Sequence, residues 1–416
     1  MTRHSTDSND PRGPRPLTRR TVLVDGARLS LLLPLLPELA LGSAQREDAA
    51  GAPVLVVVQL SGGNDGLNTV VPWRQDEYRK QRRLIGLPAQ DLHRFDDDFG
   101  LHPSLPGLSG LAADGLMALV HGVGTPRPDR SHFRSLEIWH TSEPDKPVGS
   151  VGWLGNLADQ LARKHPGSLP ALAVGGRELV LSMRGAEVLP ATLPDDRGFT
   201  LSRVSQRLAE HRDFILGHPK HDGAPKSDLE FLRQAARTSY SAAERMQKIV
   251  ATKSPVVYPD RPLARDLRLV ARLIAGGFGT RIFHASLGGF DTHASQASVH
   301  AALLSDLDGA LTAFQRDLVA SGVADQVITL VFSEFGRRVR ENGSRGTDHG
   351  HGGPVFVLGP QVAPGGHGAH PDLAHPVDGD IPSTTDFRGV YRRLERDWMG
   401  LEPFARAEID APPFLR

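Results

Sequence analysis

Carboxylates and imidazoles gather beside glycines at three places in this 416-residue sequence. The densest is Thr347-Asp348-His349-Gly350-His351-Gly352-Gly353, which sets Asp348, His349 and His351 within one short loop. It follows an apolar, β-branched run from Gln326 to Phe332 that ends in Ser333-Glu334, so Glu334 falls at the mouth of a buried strand. The second place is Gly288-Gly289-Phe290-Asp291-Thr292-His293. Two-residue spacing points Asp291 and His293 the same way if the segment is extended. The third is Ser61-Gly62-Gly63-Asn64-Asp65, again directly after an apolar run. Mixed carboxylate and imidazole donors bind hard or borderline divalent metals. Glycines let the backbone turn tightly enough for neighbouring side chains to converge. The alternative is a set of strand ends with solvated loop histidines. The strand-end carboxylate together with the glycine-spaced ligands favours a metal site.

Ser131 opens another candidate. It stands where a helix begins after a strand, in Ser131-His132-Phe133-Arg134. A hydroxyl there either caps the helix or, close to the helix dipole and free amides, serves as a nucleophile beside an anion. His132 and Arg134 could assist in holding that anion. Arg337, after Ser333-Glu334-Phe335-Gly336, is either a clamp on a non-bridging oxygen or an ordinary surface ion-pair partner.

The elements that must position these residues are legible as apolar runs. Val54–Leu60, Leu116–Val123 and Gln326–Phe332 are unbroken rather than alternating. That pattern fits strands buried on both faces of a parallel sheet. Helical periodicity runs through Leu105–Leu111, Val151–Lys164, Leu263–Ala275 and Ala294–Ser321. A strand Pro354–Leu358 follows the ligand-rich loop, and Asp380–Arg388 leads into a final helix ending near Met399. Residues 73–100 read as an irregular charged insertion, and 337–345 as a basic loop. The stretch from about 168 to 255 reads as a cap or insertion: short strands first, then two charged helical segments from Ser202 to Leu216 and from Lys226 to Ala251. Ligands of open α/β sheets sit at the carboxyl ends of strands, where Asp65 and Glu334 fall. The Gly62-Gly63 pair lacks both the Gly-Lys-Ser/Thr and the G-x-G-x-x-G patterns, which excludes P-loop and Rossmann readings. There are no internal repeats.

Composition narrows the classes. The 48 basic and 48 acidic residues cancel, so no global field draws nucleic acid. The absence of cysteine excludes disulfides, thiolate metal sites and a thiol nucleophile. Residues 1–44 read as a polar start followed by a twin-arginine signal, with Arg19-Arg20, an apolar run from Leu29 to Leu41 and small residues at Gly42-Ser43-Ala44. Pro34 and Pro37 break that run too early for a stable membrane span. The expected product is exported already folded to the periplasm or beyond, its mature part starting near Gln45.

The ordered set of Gly62-Gly63-Asn64-Asp65, helix-start Ser131, Gly289-Phe290-Asp291-Thr292-His293, Ser333-Glu334-Phe335-Gly336-Arg337, Asp348-His349-Gly350-His351 and Thr384-Thr385-Asp386-Phe387-Arg388 resembles the family called domain of unknown function 1501. That family is similar in turn to the alkaline phosphatase and sulfatase superfamily. The resemblance implies an alkaline-phosphatase-like α/β three-layer sandwich over 45–416, a mostly parallel sheet with helices on both faces. It implies one or two divalent ions (zinc, manganese, magnesium or calcium) held by Asp65, Asp291, His293, Glu334 and one of His349 and His351. Ser131 is the implied nucleophile. No Cys/Ser-x-Pro-x-Arg segment is present, so formylglycine chemistry is not implied. The expected activity is hydrolysis of phosphate or sulfate esters on a small molecule or a polymer. The alternatives are an exported binding or assembly protein that keeps the metal-binding fold, and a phosphomutase-like transferase. Oligomeric state is not legible. Replacing Arg19 and Arg20 together by lysine should leave the unprocessed precursor in the cytoplasm; fractionation that finds the double variant still exported would contradict the signal.

Overall fold

The computed structural model describes residues 51–416 apart from 147–148, 166–167, 177–179, 189–190, 194–244 and 405–409. The twin-arginine segment and most of the two charged helical segments expected between 202 and 251 therefore lie outside the described residues. In chain order the elements are β1 (Val54–Ser61), α1 (Gly66–Thr69), β2 (Val70–Val71), α2 (Asp76–Gln81), β3 (His93–Arg94), β4 (Gly100–Leu101), α3 (Pro106–Ala113) and β5 (Met117–Gly124). Next come α4 (His132–Thr141), α5 (Trp153–Lys164), β6 (Ala171–Val174), β7 (Ala191–Leu193), α6 (Pro262–Ala275), β8 (Ile282–Gly288) and α7 (Gln296–Ala320). The chain closes with β9 (Val327–Ser333), β10 (Arg337–Glu341), β11 (Thr347–His349), β12 (Gly353–Leu358), β13 (Gly365–His367), β14 (Thr385–Asp386) and α8 (Phe387–Arg393).

Nine strands form one sheet in the order β13-β5-β12-β9-β1-β8-β6-β7, with β14 also on β5. β12 runs antiparallel to both its neighbours, and the other pairings are parallel. The α/β class and the mostly parallel sheet agree with the apolar runs. Successive residues of β1 face opposite sides of the sheet. Val54, Val56, Val58 and Leu60 pack with Leu108 of α3, Leu267 of α6, and Leu311 and Phe314 of α7. Leu55 and Val57 pack in the opposite layer with Trp139 of α4, Trp153 of α5 and Tyr391 of α8. Trp139 stacks on Phe332 of β9 with ring centroids 5.0 Å apart, which fixes α4 over the sheet.

Two segments differ from expectation. Residues 337–349 form an antiparallel hairpin of β10 and β11, pairing Arg337 with His349, rather than a basic loop. Arg337 and Val339 are buried while Arg338 and Arg340 are not, the two-residue period of a strand with a guanidinium in a core position. Between 73 and 100, α2 and the sheet β2-β4-β3 replace an irregular insertion. At the other end Asp386 accepts a hydrogen bond from the Arg388 amide and so caps α8.

A buried polar knot lies at the end of β1. Asp65 is paired with Arg82, both side chains having no exposed surface. Arg82 also donates to Asn68 Oδ1, to the Val339 carbonyl and to the Arg338 carbonyl, which ties α1 to β10. Gln296, the first residue of α7, donates to Asp65 and accepts from Thr292 and Thr347. Burial opposes the Asp65 charge, but the Arg82 charge and hydrogen bonds from Arg82 and Gln296 outweigh it and lower its pKa from 3.8. A carboxyl lowered in the folded state stabilises the fold above its unfolded pKa, and that contribution fades as pH falls through the folded value. Arg82→Met should cost roughly 3–5 kcal/mol at neutral pH, because a buried charge loses its partner. Urea unfolding should show the gap to wild type narrowing below about pH 4, where unfolded Asp65 is also protonated. A gap independent of pH would remove Asp65 from the explanation.

Candidate metal centre

β8, β1 and β9 are adjacent and parallel, and Leu60 is level with Ser333 while Ser61 is level with Gly288. Their carboxyl ends therefore deliver Gly62, Asp291 and Glu334 to one place. Gly62 has φ of +119°, and a Cβ there would lie 2.4 Å from the Asp291 amide nitrogen. Only glycine permits that approach. β5 leads through the 125–131 loop to α4, whose first residue is His132. The β10–β11 hairpin folds back over the same spot and supplies His349.

Three imidazoles converge on one carboxylate oxygen. Asp291 Oδ1 lies 3.4 Å from His132 Nε2, 3.0 Å from His293 Nε2 and 3.0 Å from His349 Nε2. The ligand atoms of His132, Asp291 and His349 all lie within 4.8 Å of one another, a spacing that can hold a metal ion. His293 joins them through Asp291 and through His349, whose Nε2 is 2.9 Å from its own. The far nitrogen of each ring faces an oxygen acceptor. His132 Nδ1 is 2.9 Å from Glu334 Oε1, His349 Nδ1 is 2.7 Å from the Arg130 carbonyl, and His293 Nδ1 is 3.4 Å from Asp348 Oδ1. An acceptor at Nδ1 assigns the proton of a neutral imidazole to Nδ1, leaving Nε2 as a lone pair. Three lone pairs and a carboxylate oxygen then face each other with no proton between them. His132 Nε2 is in fact a buried atom without a hydrogen-bond partner. This donor set fits a divalent cation, and the oxygen behind each imidazole matches the way metal-ligating histidines are oriented. Nitrogen-rich donors suit zinc or manganese better than magnesium or calcium, which take oxygen cages.

Arg337 holds the arrangement from below. Its side chain has no exposed surface. Its guanidinium donates to the carbonyls of Gly62, Gly63, Phe290 and Thr347, and to Asp291 Oδ1 at 2.8 Å. Burial works against the Asp291 charge, but the hydrogen bond from Arg337 and the Arg337 charge hold its carboxyl well below the usual range. Glu334 is buried and accepts from the Gly62 amide at 2.8 Å as well as from His132. Phe335 packs against the rings of His132 and His349, with centroids 5.0 and 4.7 Å away.

Of the residues singled out from sequence, Asp291, His293, Glu334 and His349 come together. Glu334 stands behind His132 rather than among the converging atoms. Asp65 sits in the Arg82 knot, outside the group: Arg82 and Gln296 both bond its Oδ2, and its Oδ1 is buried without a hydrogen-bond partner. His351 is turned away to Asp380, with Nε2 3.0 Å from Oδ2. Burial, before any neighbouring charge, lowers the His351 pKa. Arg337 faces the protein's own carbonyls, not an oxygen of a bound ester. Ser131 takes the N-cap position of α4, yet its side chain makes no capping bond and is exposed. Sequence reasoning gave His132 only an anion-binding role and passed over Asp380. The available signal for His132 was its place on a helix start after a strand, two residues beyond Arg130.

No curated protein matches the sequence. Among solved structures, the lipoteichoic acid synthase LtaP from Listeria monocytogenes is 10% identical with a TM-score of 0.40, covering 91% of this chain and 81% of that one. The C-terminal periplasmic domain of EcEptC from Escherichia coli is 11% identical with a TM-score of 0.38, over 86% and 85%. The phosphonate monoester hydrolase SpPMH from Silicibacter pomeroyi is 12% identical with a TM-score of 0.33, over 85% and 74%. With these TM-scores below 0.5, the chemistry has to be read from the site itself. The family model described as protein of unknown function (DUF1501) matches residues 52–389, most of the chain, and the protein belongs to that family.

Proposed function

We propose that this protein is an exported, metal-dependent hydrolase of phosphate or sulfate esters, with one divalent cation held by His132, Asp291, His349 and His293. The observation that carries the reading is the convergence of imidazole Nε2 atoms on Asp291 Oδ1, each ring backed by an oxygen at Nδ1. Zinc or manganese bound there would supply Lewis-acid stabilisation of an oxyanion and favour ionisation of a nearby hydroxyl. The chain's own residues do the rest. Arg337 holds Asp291 in place. Glu334, Asp348 and the Arg130 carbonyl hold the rings in one orientation, and Phe335 shields two of them from water on one side. The Ser131 hydroxyl is exposed, free of a capping bond and next to His132 in the chain. In the proposed reaction Ser131 Oγ loses its proton and forms a bond to phosphorus or sulfur as the bond to the ester oxygen breaks, and that oxygen takes up a proton and leaves as the alcohol. Water then releases the bound group and restores the hydroxyl.

A second reading has one observation in its favour. The buried Arg337 leaves the cluster without the oxyanion clamp expected from sequence. On that reading the chain is a binding or assembly protein that keeps the metal.

Turnover of 4-nitrophenyl phosphate and 4-nitrophenyl sulfate, beside metal content and thermal unfolding, separates these readings. About one equivalent of zinc or manganese should bind, and Asp291→Asn or His349→Ala should lose it. Ser131→Asp should keep wild-type stability and metal while turnover falls by roughly three powers of ten or more. Retained turnover in Ser131→Asp would move the nucleophile elsewhere. Full metal occupancy with no turnover of any ester would favour the binding protein.

A further inference from the structure

Beside the metal centre lies a second charged cluster that the mechanism does not use. Asp380 has no exposed side-chain surface. Its Oδ2 is 2.6 Å from Arg130 Nη2 and 3.0 Å from His351 Nε2, and its Oδ1 is 3.6 Å from Arg338 Nε. The two guanidiniums lean on one buried carboxylate, and the Arg130 and Arg338 side chains remain 40% and 36% exposed. A guanidinium carries five N–H donors in a planar fork. Asp380 Oδ2 accepts a hydrogen bond from Arg130 Nη2, while Arg338 Nε stands at ion-pair distance from Oδ1, both of those atoms being buried without a hydrogen-bond partner. Two guanidiniums thus share one buried carboxylate, and the exposed Asp348 also acts on the Arg338 charge. Asp378 is exposed in the same turn and acts on His351, but it forms no ion pair with either arginine among the described residues.

The cluster is mechanically joined to the metal centre on three elements. The Arg130 carbonyl accepts from His349 Nδ1, and His132 lies two residues further on. Arg338 follows Arg337, which holds Asp291. His351 follows His349 by two residues. Each link spans at most about 7 Å of chain. A charged group recognised here therefore sits one group away from the reacting centre, not on it.

We propose that Arg130 and Arg338, preset by buried Asp380, form an oxyanion subsite that receives a second anionic group of the substrate. The assignment to substrate rests on the hydrolase reading; the subsite itself does not. Its ligand chemistry is that of sulfate, phosphate or carboxylate, which planar forks bind through paired hydrogen bonds. A substrate bearing several anionic groups fits better than a neutral ester with one.

The subsite can be tested without turnover. The probe is inorganic sulfate titrated calorimetrically onto metal-free protein at low ionic strength. Wild type should bind it saturably. Arg338→Gln should weaken binding at least tenfold while still taking up a full metal equivalent, and Arg130→Gln should weaken sulfate binding as strongly. Arg338→Lys, which keeps the charge but not the fork, should fall between and serves if the glutamine variant does not fold. No sulfate binding to folded wild type, or equal binding in the variants, overturns the subsite and leaves the metal centre untouched. Sulfate binding lost with the arginines in a protein that takes up no metal would keep the subsite and remove the hydrolase reading.

Discussion

The buried guanidinium of Arg337 is the interaction on which the site depends. It donates to carbonyls at the end of β1, in the loop after β8 and on β11, and to the Asp291 carboxylate. Those groups come from three separate stretches of chain. A charge without exposed surface is tolerated only when its donors are occupied and an opposite charge is near. Both conditions are met only when the strand ends and the hairpin are in their native places. Folding the sheet therefore also brings the three imidazoles and Asp291 together.

Gly62 and Gly63 show how little room is left. A Cβ on Gly63 would lie 2.2 Å from a ring carbon of Phe335, and one on Gly62 would meet the Asp291 backbone. Phe335 in turn packs on His132 and His349. Tight packing at the end of β1 is what brings a helix-borne histidine, a loop carboxylate and a hairpin histidine to one point. Such preorganisation is what a metal centre or an electrostatic catalyst requires, since its dipoles need not reorganise during reaction.

The sequence revealed the strands because burial on both faces leaves unbroken apolar runs, as in Val54–Leu60 and Gln326–Phe332. It revealed Asp291, Glu334 and His349 because each sits where such a run ends or a glycine turn begins. It misled at the hairpin, since Arg337-Arg338-Val339-Arg340 has the composition of a solvated loop. Nothing local says that the first arginine is buried. Asp65 reads as a ligand because it follows the first buried strand, and its partner Arg82 lies in a segment without clear periodicity. The ion pair that occupies Asp65 is a tertiary fact. The place of His132 beside Asp291, and that of Asp380, are hidden for the same reason: their partners, Asp291, Glu334 and Arg130, are remote in sequence and close only in the fold.

In the proposed site, imidazole nitrogens oriented by the oxygens behind them surround one cation together with Asp291. X-ray absorption at the metal edge of the zinc-loaded protein measures that shell most directly. The expected shell has nitrogen and oxygen neighbours at about 2.0–2.2 Å, with outer-shell scattering from about three imidazole rings, the number whose Nε2 atoms converge on Asp291. An oxygen-only shell without imidazole scattering would contradict it.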